Sequence, residues 1–271
     1  MILEYWNHRA RHVTCGMPRR PGVPYHLAMA TAQRTPSLYR EALAWAELTS
    51  LIASPVYYGA GVPRGDGRHV LVLPGLFGND FYLLPMHSWL ARMGYKPLGS
   101  TLTLNVGCPQ RLRERINQEI VRAAQRNSGP VALVGHSRGG ILARAMAAEL
   151  GARCSHLILL GSPVGGLSNF ARAMGTPVSR SGVARAGRRW TAMLDPDCNV
   201  PVCGCPFPND FVRPLHRTTK ITSIYSRDDA IVPAVAAPVP GANNVEVRGT
   251  HIGLVYNRVV YRHLGAALAE R

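Results

Sequence analysis

An α/β fold built on a mainly parallel sheet is what the sequence predicts, and three observations carry that reading. Short apolar runs, His69–Leu73 (HVLVL) and Val131–Val134 (VALV), have the pattern of strands buried on both faces. They alternate with segments of helical period at Phe81–Met93, Gln110–Arg126 and Ile141–Leu150. The 271 residues are 46% hydrophobic and 17% charged, which supplies one sizeable core and excludes a disordered chain.

Taken in order, residues 1–36 carry Pro and Arg without a period and read as an irregular basic leader. Thr35-Pro36 has the form of an N-cap followed by Pro at the first helical position. Ser37–Ala53 then spaces Leu38, Ala42, Trp45, Leu48 and Leu51–Ile52 helically until Pro55 stops it. Residues 1–66 are thus expected to be a leader and a helix packed on a core domain of residues 67–271. Within that domain Asp80 is the expected N-cap of Phe81–Met93. Pro97–Leu102 is a weaker strand, and Gln110–Arg126 has charges spaced for a solvated face. His156–Leu160, Ile221–Tyr225 and Val245–Val247 read as further strands, and Val255–Ala269 as a closing helix. Residues 163–217 break the rhythm and read as an insertion between two strands.

The charge balance is unusual. Lys+Arg 31 against Asp+Glu 15 gives +16, and every basic residue but Lys96 and Lys220 is an arginine. The arginines are spread rather than striped, as codon usage in a GC-rich genome produces. No specific nucleic-acid partner is therefore expected, although weak association with anionic surfaces is compatible with the charge. Uncharged stretches such as Leu48–Val62 are too short to span a bilayer and are broken by proline. The first residues show no apolar signal core, so a cytoplasmic chain with reduced thiols is the expectation. Nothing in the sequence sets an oligomeric state.

The chemistry concentrates in Val131-Ala-Leu-Val-Gly135-His136-Ser137-Arg138-Gly139-Gly140. A Gly-x-Ser-x-Gly between a buried strand and an Ala-rich helix forces the serine into a strained turn that lifts its hydroxyl above the sheet. The Arg138 amide, at the helix N-terminus, is free to donate to an oxyanion. A serine nucleophile needs a base, and the base an orienting acid. Asp228 and Asp229 lie just beyond the C-terminal end of Ile221–Tyr225, where functional loops sit. Among later histidines, His156 opens a strand, His216 falls in the insertion and His263 lies inside the closing helix. That leaves His251 as the base. The turn Leu73-Pro74-Gly75-Leu76-Phe77-Gly78 follows the first strand and directs the Leu76 amide toward Ser137.

With these segments in this order, residues 68–271 resemble the α/β-hydrolase fold, in its serine esterase/lipase branch. The elbow at Val131–Gly140, the oxyanion loop at Leu73–Gly78, Ser226-x-x-Asp229-x-Ile-Val-Pro233 and Gly249-Thr-His251 carry the resemblance. It implies Ser137 as nucleophile, Asp229 as acid and His251 as base, with Leu76 and Arg138 forming the oxyanion hole. Asp229 is chosen over Asp228 because it stands before the Ile-Val-Pro turn. Phe77, His136, Val164 and Ile231 are expected to meet the substrate. Two segments depart from the family: the oxyanion loop begins Leu-Pro-Gly rather than His-Gly, and Val164 stands where bacterial lipases carry a Gly-Thr-Pro-His histidine.

The resemblance makes residues 163–217 a cap over the serine, bearing seven arginines against three aspartates. The spacings of Cys198, Cys203 and Cys205 are not those of a zinc knuckle, so neither metal nor cofactor is expected. The expected activity is hydrolysis of small-molecule or lipid carboxylic esters through an acyl-enzyme, with short to medium acyl chains because the lipase-like histidine is absent. Acyl transfer or thioester cleavage by the same triad, lipase action on lipid surfaces, and a basic binding module on an inactive scaffold are the alternatives.

Overall fold

The computed structural model describes residues 38–126, 129–165, 189–190, 192–196, 198 and 205–270. Six strands form one sheet: β1 (His69–Leu73), β2 (Lys96–Leu98), β3 (Val131–His136), β4 (Cys154–Leu160), β5 (Lys220–Ser226) and β6 (Asn243–Val247). Their order is β2-β1-β3-β4-β5-β6, and every neighbouring pair is parallel. Among the described residues, helices with defined bounds are α1 (Ala44–Ile52), α2 (Leu84–Met93), α3 (Pro109–Arg126), α4 (Arg138–Leu150), α5 (Phe207–Val212) and α6 (Arg258–Ala269). This strand order, with a strand-to-helix elbow at the end of β3, is that of the α/β-hydrolase fold.

Strand alternation divides the core into two layers. Val70, Val72, Ala132, Val134, Ile158 and Leu160 point to one face, where Leu51 of α1, Trp89 of α2 and Tyr261 of α6 cover them. Leu71, Leu73, Val131, Leu133, Leu157 and Leu159 point to the other, against Leu112 and Ile116 of α3, Met146 of α4 and Phe211 of α5. The apolar runs are continuous because both faces are dry. Trp89 is fully buried; its indole N–H donates to the Val56 carbonyl at 3.0 Å and its ring meets Tyr261 edge-on.

Several local expectations are corrected. Residues expected to form one helix divide into a 3₁₀ turn at Leu38–Leu43 and α1; Thr35-Pro36 lies outside the described residues. Asp80 does not cap the following helix. Its carboxylate instead accepts from the Ser100 amide and hydroxyl and the Thr101 amide, at 3.0, 2.7 and 3.0 Å, because those donors arrive unpaired from the loop after β2. β2 is only three residues long and includes Pro97, which an edge strand tolerates. The closing segment starts as a 3₁₀ turn at Ile252–Tyr256, and α6 begins where the Asn257 side chain caps Val259 at 2.8 Å.

Most of the expected cap lies outside the described residues. Two of its aspartates are anchored to the core. Buried Asp210 of α5 pairs with Arg113 of α3 at 2.5 Å and with Arg213. Buried Asp195 accepts from the Cys108 amide at 2.6 Å and pairs with Arg111. Among the described residues no helix is long and apolar enough to cross a membrane.

Candidate active site

Ser137 occupies the sharp turn between β3 and α4, with φ 53° and ψ −121°. A non-glycine residue in that region carries strain of about 1–3 kcal/mol, retained only where the surroundings over-determine it. Here they do: the Ser137 amide donates to the Leu160 carbonyl at 2.8 Å, and its carbonyl accepts from the Gly140 amide at 3.0 Å. Gly139 lets α4 start directly behind β1, since a Cβ there would stand 2.3 Å from the Leu73 carbonyl oxygen.

Asp229 and His251 come from different loops, after β5 and after β6, and meet in the interior. The Nδ1 of His251 lies 2.6 Å from Oδ2 of Asp229, with both side chains buried. The other carboxylate oxygen accepts from the Ile231 and Val232 amides at 2.8 and 2.7 Å. With these two donors on one oxygen, Asp229 presents the other as an acceptor to Nδ1–H, an arrangement that leaves the lone pair of His251 on Nε2. The pair lies at the C-terminal end of β4: a Cβ on Gly161 would be 3.1 Å from Oδ2 of Asp229 and 3.3 Å from Nδ1 of His251. His216 is exposed and bonds Thr218, and His263 lies on α6.

His136 corrects an expectation. Rather than facing substrate, its ring is buried between Tyr82 and His251. The Tyr82 oxygen accepts from the Gly75 amide at 2.6 Å, so its own proton is directed to Nδ1 of His136 at 2.9 Å. Nε2–H of His136 then donates to the His251 carbonyl at 2.9 Å. Burial, followed by the neighbouring His251, pulls the His136 imidazole down to about 3, so it stays neutral in this tautomer. The chain Gly75–Tyr82–His136–His251 ties the oxyanion loop to the histidine loop through the residue beside Ser137.

The oxyanion loop is braced from its other side by Asn105, which sequence reasoning missed. Its side-chain amide donates to the Pro74 carbonyl at 2.6 Å, its carbonyl accepts from the Phe77 amide at 3.2 Å, and its amide donates to the Gly78 carbonyl at 2.8 Å. The buried guanidinium of Arg138 grips the same segment through the Asn105 and Gly107 carbonyls at 2.9 and 2.7 Å. Burial draws this guanidinium down to about 10. Phe77 has φ 59° and is half-buried. Among the described residues, the Leu76 and Arg138 amides meet no protein acceptor.

Of the other expected substrate contacts, Val164 is buried in the second apolar layer, and half-buried Ile231 contributes its amide to Asp229. Glu41 and Glu47 also bond the loops that carry Asp229 and His251, from a segment outside residues 67–271. Like Asn105, they act on backbone groups of distant segments, and Tyr82 on the distant His136 ring, so no local pattern announces them.

No family model matches the chain, and no curated protein matches it. Solved structures align with part of it. Polyneuridine aldehyde esterase aligns over 76% of this chain and 100% of its own, at 15% identity and a TM-score of 0.48. The type II thioesterase BorB from the borrelidin biosynthetic cluster covers 76% and 93%, at 18% identity and a TM-score of 0.46. The serine hydrolase CCSP0084 from the hydrocarbon-degrading bacterium Cycloclasticus zankles covers 76% and 90%, at 14% identity and a TM-score of 0.43.

Proposed function

We propose that this chain is a serine hydrolase that cleaves carboxylic esters of short to medium acyl chain through an acyl-enzyme. The observation that carries the reading is the conjunction of a strained Ser137 elbow with an imidazole whose Nδ1 is held by Asp229 at 2.6 Å. Neither feature stabilises a fold cheaply: one strains the backbone, and the other withdraws a carboxylate from water.

In this reading Ser137 Oγ attacks the ester carbonyl carbon as its proton passes to Nε2 of His251, and Asp229 stabilises the imidazolium. The Leu76 and Arg138 amides donate to the oxyanion, which needs two donors fixed before the charge develops. Collapse of the tetrahedral intermediate breaks the bond to the alcohol, which leaves with the His251 proton. Water then adds to the acyl-enzyme by the same route and releases the acid.

A panel of p-nitrophenyl esters from acetate to palmitate, with a triglyceride emulsion alongside, tests this. Turnover highest on the shorter esters, lost in Ser137→Ala at unchanged circular dichroism, is the expected result. Equal turnover by Ser137→Ala would overturn the assignment. Preference for palmitate and emulsion would replace the chain-length reading with a lipase.

A further inference from the structure

We infer that Glu41 is a positioning residue for the catalytic dyad: its carboxylate, brought in by the N-terminal 3₁₀ turn, fixes the loops that carry His251 and Asp229. The inference rests on the hydrolase reading above. Glu41 Oε1 accepts from the His251 amide at 3.1 Å and the Ala230 amide at 3.4 Å, and Oε2 accepts from the Ile252 amide at 2.9 Å. One side chain thereby holds the base at its own backbone and the acid through the next residue. Two loops that follow different strands are joined across 189 to 211 positions of chain.

Glu47, one helical turn and more further on, extends the clasp. It accepts from the Thr250 amide at 3.1 Å and the Thr250 hydroxyl at 2.7 Å, while that hydroxyl accepts from the Gly253 amide at 3.0 Å. Arg40 lies 3.7 Å from Asp228, beside the acid. Three consecutive amides, of Thr250, His251 and Ile252, thus point at carboxylates of one segment.

An ordinary packing helix would attach by its apolar side chains. This segment buries Leu51 and Ala44 but leaves Tyr39, Leu43 and Trp45 largely exposed, while its carboxylates turn inward onto the catalytic loops. Amides at the start of a 3₁₀ turn have no partner within the turn, and an ionised carboxylate is a strong acceptor for them. The fixed turn sets the direction of the His251 ring together with the Asp229 bond and the His136 contacts to its carbonyl and ring.

The test uses the full chain with Glu41→Ala and Glu41→Gln, titrated with a fluorophosphonate to count competent serines, then assayed on p-nitrophenyl butyrate. Glu41→Ala should lower kcat per titrated site about 10- to 100-fold, with KM within about twofold, because a misdirected base slows proton transfer more than binding. Glu41→Gln keeps an acceptor oxygen but sets an amide N–H against a backbone donor, so it should recover part of that loss. Should Glu41→Ala fail to fold, the isosteric Glu41→Gln carries the comparison, with an expected kcat per site below the wild type's. Fewer titratable sites with unchanged kcat per site would reduce Glu41 to a structural role and overturn the inference. A wild-type chain that neither labels nor turns over would overturn the hydrolase reading and the positioning role together.

Discussion

Asp229 commits each carboxylate oxygen to a different task, one to Nδ1 of His251 and the other to two backbone amides. This explains why its neighbour Asp228, equally close in sequence, has no such place: it is half-exposed and near Arg40. A carboxamide at 229 keeps the shape but not the bonding. With its oxygen on the Ile231 and Val232 amides, its NH₂ meets Nδ1 and forces the proton onto Nε2, which removes the base. Asp229→Asn should therefore lower kcat by about 10⁴ at unchanged fold. Ester turnover alongside circular dichroism checks this, and a loss smaller than tenfold would contradict the assignment of the acid.

At the scale of elements, the site is assembled by loops that brace one another. Asn105 holds the oxyanion loop at Pro74, Phe77 and Gly78 and also receives the Arg138 guanidinium. Asn105→Ala removes the side-chain donor to the Pro74 carbonyl and one of the two acceptors of Arg138 Nη1, leaving the Asn105 backbone carbonyl as the other. It should lower kcat about 10- to 100-fold, with a smaller change in KM, since the amide donors act on the developing oxyanion rather than on bound ester. Unchanged kcat would show that the loop holds its shape without this brace. The strands were legible because both faces of β1, β3 and β4 are buried, which leaves continuous apolar runs. Other elements were hidden by distance. Asp80 looks like a cap because Asp before a helix usually is one, yet its donors come from 20 positions away. α5 hides in a Pro-Phe-Pro-Asn sequence that reads as a turn, and it is fastened to α3 by the Asp210–Arg113 pair. The Ser137 turn was legible because its strained backbone needs a local Gly-x-Ser-x-Gly pattern, and the Asp229 and His251 loops because they follow strands. Glu41, Tyr82 and Asn105 were not, because a side chain that bonds a group far along the chain, such as the His251 amide, the His136 ring or the Pro74 carbonyl, leaves no periodic trace.

For the whole molecule, the buried histidines set how stability responds to acid. His136 is held at about 3 in the fold, against about 6.5 for an unperturbed imidazole. Between those values the unfolded chain binds a proton that the folded chain refuses, so stability rises with pH. The contribution is complete above about pH 6.5 and drains away as pH falls toward 3, on the order of several kcal/mol in all. His156, lowered to about 4 by burial and then by Arg68, acts in the same direction. Thermal melts should be nearly level from pH 8 to 7 and fall steadily from 6.5 to 4.5. His136→Gln should start less stable and fall less steeply. An equally steep decline in that variant would remove His136 from the explanation.

The most direct measurement on the central claim is peptide mapping by mass spectrometry after treatment with a fluorophosphonate, in the wild type and in His251→Ala. One adduct per chain is expected, on the serine at position 137, formed far more slowly once the imidazole is gone. A wild-type chain that stays unmodified, or one modified at a different residue, would contradict that claim.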